Sequence, residues 1–243
     1  VGAAGNYTTL TAAISAYNSV CISGPVTFLL TDATYSAGET FPLIINRNTA
    51  ASAVNTLTIK PAPGVNATIS GTVNSNALFK VLGSYVTIDG SNNGSSSRNL
   101  TITNLGTSAA RTLVLGSTST FALINTTLKN CIVINGTPFS NAIVVSDGVA
   151  INTAGYFSNI SIQNNNIQKA FYGIYCNAIA GGSGTGLTIE SNDLNTSGGN
   201  AIQFAGLFIQ GFDGVTVKGN RIGNFNGSDD AADKGIWLSA NVK

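Results

Sequence analysis

Short apolar segments, each interrupted by one polar residue, recur along most of the chain. Typical examples are Leu57-Thr-Ile59, Val86-Thr-Ile88 and Leu187-Thr-Ile189. Because successive side chains of a strand point to opposite faces, such a segment predicts a strand with Val, Ile and Leu inward and Thr outward. Turns rich in Gly, Asn and Ser separate the segments, so the pattern predicts many short strands joined by sharp turns.

A longer repeat is visible near the C-terminus, where an apolar residue, two polar residues, an Asn, a polar residue and an apolar residue follow each other three times. The central residues are Asn165, Asn192 and Asn220, which lie 27 and 28 residues apart. A repeat of this length is typical of one structural unit stacked on the next. We expect the three asparagines to form a structural ladder of amide hydrogen bonds, each in the αL conformation that a sharp bend requires.

Aligned on this repeat, the apolar segments fall into three columns, which predicts three strands per coil and about seven coils. Val26 to Leu30 and Phe41 to Ile45 form an irregular first coil. The first column contains residues 57–59, 86–88, 121–124, 160–162, 187–189 and 215–217; the second contains 67–69, 100–102, 131–134 and the segments around Ile167, Leu194 and Ile222; the third contains 77–78, 113–115, 143–145, Ile174, Ile202 and Ile236. The predicted fold class is all-β, a single-stranded parallel β-helix.

The first residues follow a helical period instead. Leu10, Ala13, Ile14 and Tyr17 share one helical stripe. An amphipathic helix here would cover the first strand edges of the stack, which otherwise invite edge-to-edge pairing. We therefore expect one domain over residues 1–243, with residues 1–24 as an N-terminal cap and residues 25–243 as coils.

At the other end, Ile236 to Lys243 fall in what would be another strand and turn. We therefore expect the coils to be truncated at the C-terminus. Further β-helix coils of the parent protein, or self-assembly of subunits through the open edge, would cover it.

Composition narrows the choice of partners. Charged residues make up 9% of the 243 residues, and the net charge is +1 without any run of Lys or Arg. Nothing therefore points to nucleic acid, which basic patches bind. The longest apolar runs have the length of strands, so no membrane span is expected. The low charge, the abundance of Asn, Ser and Thr and the lack of Met are typical of secreted bacterial proteins, and predict an extracellular or cell-surface location.

The chain contains no His, which excludes His-based catalytic triads and zinc sites built on imidazole. Cys21, Cys131 and Cys176 have no CxxC spacing. They could form one disulfide with a free thiol left over, or remain three buried thiols.

Several segments resemble proteins of one structural group. The stretch Gly5 to Ile14, the three Asn phrases, and Tyr85 to Gly94 followed by Ser97 to Ile102 resemble right-handed parallel β-helix proteins of the pectin-lyase-like group. They also look like the β-helix segments of long secreted bacterial surface proteins. The resemblance covers nearly the whole chain and implies a right-handed solenoid. The resemblance says little about function, because lyases, hydrolases, esterases, adhesins and phage spikes all have this fold.

Catalysis on this fold, by the same resemblance, uses clustered Asp residues with a His and a basic partner. A glycosidase needs two carboxyls about 5 to 9.5 Å apart. In the predicted register Asp89 and Glu190 lie three coils apart, and Asp193 lies beside Arg221 as a surface ion pair. The pairs Lys60–Asp89 and Glu190–Lys218 are interpreted as ion pairs that stabilise neighbouring strands. No catalytic residue is predicted, and the sequence leans against an enzyme.

Two further clusters are candidate sites. Asp229, Asp230 and Asp233, in the loop of residues 226–234, could hold Ca²⁺, although a solvated turn is the alternative, and no other cofactor is expected. Tyr172, Tyr175 and Trp237 are candidate carbohydrate-binding platforms, with the neighbouring phenylalanines expected in the bore of the helix or beneath a turn.

An outward file that contains Thr58, Thr87, Thr188 and Thr216 raises the question of ice binding. The neighbouring outward file is charged and uneven, so ice binding is rejected. The sequence therefore predicts a non-enzymatic structural or adhesin segment of a bacterial surface protein or filament. The alternative is a polysaccharide-binding or polysaccharide-cleaving module.

Overall fold

The chain winds into a parallel β-helix. A computed structural model describes residues 1–181, 184–227 and 232–243. Seven coils each contribute one strand to three seven-stranded sheets, which confirms the predicted architecture of about seven coils with three strands per coil. In chain order the strands are β1 (Val26–Leu30), β2 (Thr34–Tyr35), β3 (Leu43–Ile45), β4 (Leu57–Pro61), β5 (Ala67–Gly71), β6 (Ala77–Val81), β7 (Val86–Asp89), β8 (Leu100–Asn104), β9 (Arg111–Ser117), β10 (Leu123–Lys129), β11 (Cys131–Ile134), β12 (Ile143–Asp147), β13 (Phe157–Gln163), β14 (Asn166–Gln168), β15 (Ala170–Asn177), β16 (Gly184–Glu190), β17 (Asp193–Leu194), β18 (Ile202–Gln210), β19 (Thr216–Lys218), β20 (Arg221–Ile222) and β21 (Lys234–Leu238).

The three sheets are named here by their strands. Sheet A has the order β1-β4-β7-β10-β13-β16-β19, sheet B the order β2-β5-β8-β11-β14-β17-β20, and sheet C the order β3-β6-β9-β12-β15-β18-β21. A short 3-10 helix, Gly198–Asn200, precedes β18. Each coil returns the chain beside the previous strand of the same sheet, which is why these pairings are parallel.

Inward-facing apolar side chains fill the bore. In sheet A, Ile59 pairs with Ile88 of the next coil, and Ile162 pairs with Ile189. All four are at most 1% exposed and belong to one core cluster that also includes side chains of the N-terminal helix. Burying one such side chain contributes roughly 1.5–3 kcal/mol, so alignment of like residues in every coil is the main stabilising feature of the stack.

A helix covers the first coil, as the sequence predicts. α1 (Leu10–Ser19) buries Leu10, Ala13, Ile14 and Tyr17. The hydroxyl of Thr9 accepts a hydrogen bond from the N–H of Ala12 at 3.1 Å and caps the helix. At the other end of α1, the amide of Asn18 donates to the C=O of Ile44 at 2.8 Å. The bond from Asn18 ties the cap to the edge of β3.

The register of the fourth coil differs from the prediction. We expected residues 121–124 in sheet A, but Thr127 of β10 pairs with Thr87. The cause is the longer turn before β10, in which residues 119–122 are exposed. The segment that continues the alternation of Val86 to Ile88 is Thr126 to Leu128, where the buried Thr126 takes the place of an apolar residue.

The prediction was also wrong in the sixth coil of sheet C. Ile174 pairs with Leu207, which in turn pairs with Ile236, whereas Ile202 pairs with Ala170. The turn between β17 and β18 spans residues 195–201, whereas one residue separates β14 from β15, and this longer turn produces most of the shift. A bulge in β18, opposite the step from Ala170 to Tyr172, adds one further residue. The column of inward residues therefore passes through Leu207.

The cysteines match neither predicted arrangement completely. All three are free thiols, with Cys131 and Cys176 buried and Cys21 exposed. Burial raises the pKa of the Cys131 and Cys176 thiols well above the ordinary value. In the described part of the chain no helix is long and apolar enough to cross a membrane.

Candidate functional site

The three repeated asparagines meet at the corner between sheets A and B. The N–H and the amide nitrogen of Asn165 both donate to Oδ1 of Asn192, each at 3.0 Å. Asn192 repeats both bonds to Oδ1 of Asn220, each at 2.9 Å. Each amide also donates to a carbonyl in the sheet A strand of the preceding coil, from Asn165 to Leu128 and from Asn192 to Ile162. We call this row the asparagine ladder.

The ladder asparagines do not adopt the αL conformation that we predicted for them. The αL residues precede them and are Asn164 at φ +49°, Ser191 at φ +57° and Gly219 at φ +63°. These preceding residues turn the chain, so the ladder side chains point inward, where Asn165 and Asn192 are at most 1% exposed. The ladder ends at Cys131, whose N–H donates to Oδ1 of Asn165 at 3.0 Å.

Carboxylates on the outer face of sheet A are paired with lysines rather than with each other. Asp89 forms an ion pair with Lys129 of the following coil at 3.2 Å, in place of the predicted pair with Lys60. Glu190 pairs with Lys218 at 3.5 Å, as expected. The register places Lys129 and Gln163 between Asp89 and Glu190. These two carboxylates are therefore three coils, about 14 Å, apart at the spacing of parallel strands.

The outer face of sheet C is unlike those of the other two sheets, because its central outward file is apolar except for one lysine. Strand pairing aligns the members of this file, in coil order, as Ile44, Lys80, Val114, Val144, Tyr175, Phe208 and Trp237. Val114 and Val144 are fully buried although they point away from the bore. Something other than the core must therefore cover them.

The loop after β12 provides that cover. Ile151 packs with Tyr175 against the outward cluster of Ala77, Val114 and Val144. The loop is held by the Asp147 carboxylate, which accepts from the N–H groups of Val149 and Ala150 at 2.8 and 2.7 Å.

Lys80 lies beneath the same loop. It is 8% exposed, and its ammonium donates to the C=O of Gly148 at 3.2 Å. Burial lowers the pKa of Lys80, and the nearby guanidinium of Arg111 lowers it further, while Asp147 opposes both. Lys80 thus anchors the loop from below.

Beyond the loop, six rings continue the apolar face across coils five to seven. Tyr175 stacks on Phe208 at 4.8 Å between centroids, and Phe171 stacks on Phe204 at the same distance. Trp237 meets Phe208 and Phe204 edge-on at 5.2 and 5.8 Å. Tyr172 fills the centre and contacts four of the other rings. We call these six residues the aromatic face.

All three predicted platform residues, Tyr172, Tyr175 and Trp237, lie in this face and are partly buried. Burial raises the pKa of Tyr172 and Tyr175, so both hydroxyls stay neutral and able to donate at neutral pH. The Tyr175 hydroxyl donates to the C=O of Asn152 at 3.2 Å.

Sequence reasoning missed the contribution of the phenylalanines to this face. We expected Phe171 and Phe208 in the bore or beneath a turn, and Phe204 was not singled out. Only the register between β15 and β18, with its bulge near the start of β18, shows that they face outward. Phe212 is found in the bore as expected, fully buried and stacked on Phe157 at 5.7 Å.

A cavity of about 380 Å³ adjoins the aromatic face. Phe171 and Phe204 form one wall, the largely exposed Phe139 forms another, and Gln203, Asn226 and Asp233 contribute polar groups. The combination of apolar walls with a few convergent polar groups is typical of small-molecule and oligomer binding sites.

The predicted Ca²⁺ loop is only partly described. Asp229 and Asp230 lie outside the described residues, and Asp233 lines the cavity. Within the described ranges no group of three or more acidic or Cys side chains could hold a metal ion. The possible calcium site in residues 226–234 remains a prediction.

The chain has been compared with protein-family models, with curated proteins and with solved structures, and none of the three comparisons finds a match.

Proposed function

We propose that this chain is a rigid β-helical segment of a secreted or cell-surface adhesin that binds polysaccharide through its aromatic face. The observation that carries the proposal is the set of six rings on the outer face of sheet C, four of which form two parallel pairs at 4.8 Å. Contiguous aromatic side chains on the outer face of a sheet are typical of interaction sites.

The chemistry of the face favours sugars. The C–H face of a pyranose ring packs flat on an aromatic ring, and its hydroxyls need hydrogen-bond partners at the edge of that contact. The aromatic face supplies the rings, and Gln203, Asn226 and Asp233 in the adjoining cavity supply donors and acceptors. The solenoid holds the six rings and Gln203 on strands rather than on loops, so little ordering entropy is lost when these groups bind a ligand.

Affinity electrophoresis through gels that contain soluble polysaccharides, such as xylan, pectin or β-glucan, tests the proposal. We expect at least one polymer to retard the protein, and Trp237→Ala to weaken that retardation by about tenfold or more, equivalent to about 1.4 kcal/mol. Tyr156→Ala is the matched control, because Tyr156 is 36% exposed and precedes β13 of sheet A. It should bind like the unmodified chain.

Two results would count against the proposal. One is an unchanged mobility in every polysaccharide tested. The other is an equal loss in the Trp237 and Tyr156 variants, which would indicate non-specific adsorption. Release of new reducing ends during the incubation would show that the chain cleaves polysaccharide, which would favour an enzyme over an adhesin.

A second candidate function is structural extension of the stack, and the last coil favours it. Ile236 and Leu238 lie in register with the bore residues Leu207 and Ile209, yet they are 48% and 56% exposed, whereas Leu207 and Ile209 are fully buried. An apolar strand edge of this kind recruits further β-structure. We propose that further coils or another subunit cover it.

Sedimentation velocity over a range of concentrations tests self-assembly through this edge. The chain should form larger species as its concentration rises. The double substitution Ile236→Lys and Leu238→Lys should restore a monomer, because it places charges where another coil would stack. A monomer at every concentration in the unmodified chain would contradict assembly between copies.

A further inference from the structure

A row of polar side chains borders the aromatic face along sheet C. It lies two residues beyond the file of Tyr175, Phe208 and Trp237, and its members are Asn177, Gln210 and Ser239. Because side chains two residues apart in a strand share a face, this row points outward, as the rings do. The Ser239 hydroxyl donates to Oε1 of Gln210 at 3.1 Å. The amide nitrogen of Gln210 has no hydrogen-bond partner among the described residues, and the side chain is partly exposed, so this donor is available to a ligand.

The opposite border of the aromatic face is also polar. Gln203 and Asn226 line the cavity there, and their side chains have no hydrogen-bond partner among the described residues either. Gln203 and Gln210 both belong to β18, with Phe204 and Phe208 between them. The distance between the two glutamines is roughly 20 Å at the rise of a strand. The aromatic face therefore has free polar groups at both of its ends along the strand direction.

Two exposed side chains flank the same face on the side of the fourth coil. Phe139, between β11 and β12, is 80% exposed and forms a wall of the cavity. Val149 is 81% exposed, in the loop whose Ile151 packs beside Tyr175. A polymer that runs along the stack axis toward β12 would meet this loop. A polymer that runs along β18 passes beside both obstacles.

The charges around the face indicate which class of polysaccharide it suits. Apart from Asp233, the polar groups at both ends are amides and a hydroxyl. Lys234 follows Asp233 in the chain, and its ammonium donates to the C=O of Ala232 at 2.7 Å. No arginine or lysine is among the described residues that line the cavity. Since proteins bind carboxylated and sulfated groups mainly through such cations, the face suits an uncharged ligand.

We propose that the aromatic face takes an uncharged polysaccharide, which lies along β18 and across the stack. The sugar hydroxyls bond Gln210 and Ser239 at one end and Gln203 and Asn226 at the other, while the rings pack against the sugar faces between them. This inference rests on the proposed function and adds to it the class of substrate and the direction of the bound chain.

Affinity electrophoresis with two sets of polymers tests the class of substrate. The neutral set contains hydroxyethylcellulose, xyloglucan, arabinoxylan and galactomannan, and the acidic set contains carboxymethylcellulose, polygalacturonate and alginate. We expect at least one neutral polymer to retard the protein and the acidic polymers to leave its mobility unchanged. Hydroxyethylcellulose and carboxymethylcellulose are a matched pair, because they share a backbone and differ in charge. Retardation by an acidic polymer as strong as by the neutral ones would overturn the proposed class.

Two glutamine variants test the direction of the bound chain in the polymer that retards most. Gln203→Ala and Gln210→Ala should each weaken binding by about threefold to tenfold, the effect of one lost hydrogen bond. The double variant should show the product of the two factors, because the sites are far apart. Gln163→Ala is the matched control, since Gln163 is a partly exposed glutamine on the outer face of sheet A. It should bind like the unmodified chain.

The outcomes separate this inference from the proposed function. A loss in only one of the two glutamine variants would overturn the direction along β18, because a polymer along the stack axis reaches only one end of the strand. Binding that Trp237→Ala weakens but neither glutamine variant changes would overturn this inference and leave the proposed function standing. If no polymer retards the unmodified chain, both are overturned.

Discussion

Two regions depart from the usual distribution of side chains, in which polar groups lie outside and apolar groups inside. One is the corner between sheets A and B, and the other is the outer face of sheet C. At the corner, Asn165 and Asn192 bring amides into the interior. On sheet C, Val114 and Val144 bring apolar side chains to the outside and are nevertheless fully buried. Stacked coils tolerate both exceptions because each is repeated from coil to coil, so every group finds its partner in the neighbouring coil.

The two regions are stabilised by different interactions. The ladder amides form hydrogen bonds in one direction along the stack, so each asparagine depends on the next one. The apolar file of sheet C is shielded from solvent by packing, against Ile151 of one loop and against the stacked rings farther along the stack. Removal of one group should therefore be costly in the ladder and more moderate on the outer face.

The largest expected effect comes from the ladder. Asn192→Leu keeps the size of the side chain, but it removes the acceptor of the Asn165 N–H and of one Asn165 amide hydrogen, and it removes the donor to the C=O of Ile162. Because an unsatisfied buried group costs about 1–3 kcal/mol, we expect a loss of roughly 3 kcal/mol or more. Denaturant unfolding followed by circular dichroism measures it.

Asn220→Leu is the control for that experiment, because Asn220 makes equivalent bonds but is only partly buried. Water can replace those bonds, so the loss should be clearly smaller. Equal losses in the two variants would show that burial does not govern the ladder.

The next effect concerns the outer face of sheet C. Val144→Thr adds a hydroxyl at a site without solvent, and should lower the free energy of unfolding by about 1–3 kcal/mol. The reverse change on sheet A of the same coil, Thr127→Val, affects a partly exposed position and should stay within about 0.5 kcal/mol. If both substitutions prove neutral in thermal unfolding, the loop does not seal this face.

Two buried thiols, one near each region, predict that the protein loses stability at alkaline pH. Cys131 ends the asparagine ladder, and Cys176 lies inward on β15 beneath the aromatic face; burial raises the pKa of both. Below the unfolded thiol pKa of about 8.5 they do not affect stability. Above it only the unfolded state releases protons, so the free energy of unfolding should fall by about 1.4 kcal/mol per pH unit for each thiol.

Urea unfolding between pH 8.5 and 9.5 measures this slope, where tyrosines contribute little. Replacing Cys131 and Cys176 by Ala should remove it, whereas Cys21→Ala should retain it because Cys21 is exposed. A slope that survives the double replacement would belong to other groups.

The smallest expected effect comes from a substitution that distinguishes the contribution of the Tyr175 hydroxyl from that of its ring. Tyr175→Phe removes the bond to the C=O of Asn152, which still accepts from Asn177 at 2.9 Å. We expect a loss of about 0.5–1 kcal/mol in thermal unfolding, with polysaccharide binding retained. Loss of binding in this variant would show that polysaccharide recognition depends on the Tyr175 hydroxyl rather than on ring stacking.

Local patterns in the sequence predicted most of the fold. The stripe Leu10, Ala13, Ile14 and Tyr17 matches the buried side of α1, and the spacing of the Asn phrases matches the ladder. The errors lie where a longer turn precedes a strand, before β10 and before β18. A longer turn moves the pairing register along the chain, and the apolar alternation cannot reveal the shift because apolar residues follow on both sides.

The candidate site was predicted in part for the same reason. Tyr172, Tyr175 and Trp237 are amphipathic aromatic residues, so an outer position was expected for them. Phe171, Phe204 and Phe208 carry no polar group that would indicate the outside, and the prediction for phenylalanine favoured the bore. Only their contacts with Tyr172 and Trp237 show that they form part of one face.

The sequence by itself determined the repeat, the three strands of each coil, the helical cap and the residues of the ladder, because each depends on spacing within about thirty residues. Only the tertiary structure decided which residue of each turn is αL, which lysine pairs with Asp89, and which rings share the outer face of sheet C. Those outcomes depend on the register between coils. Register is the sum of every insertion that precedes it, and no local pattern records that sum.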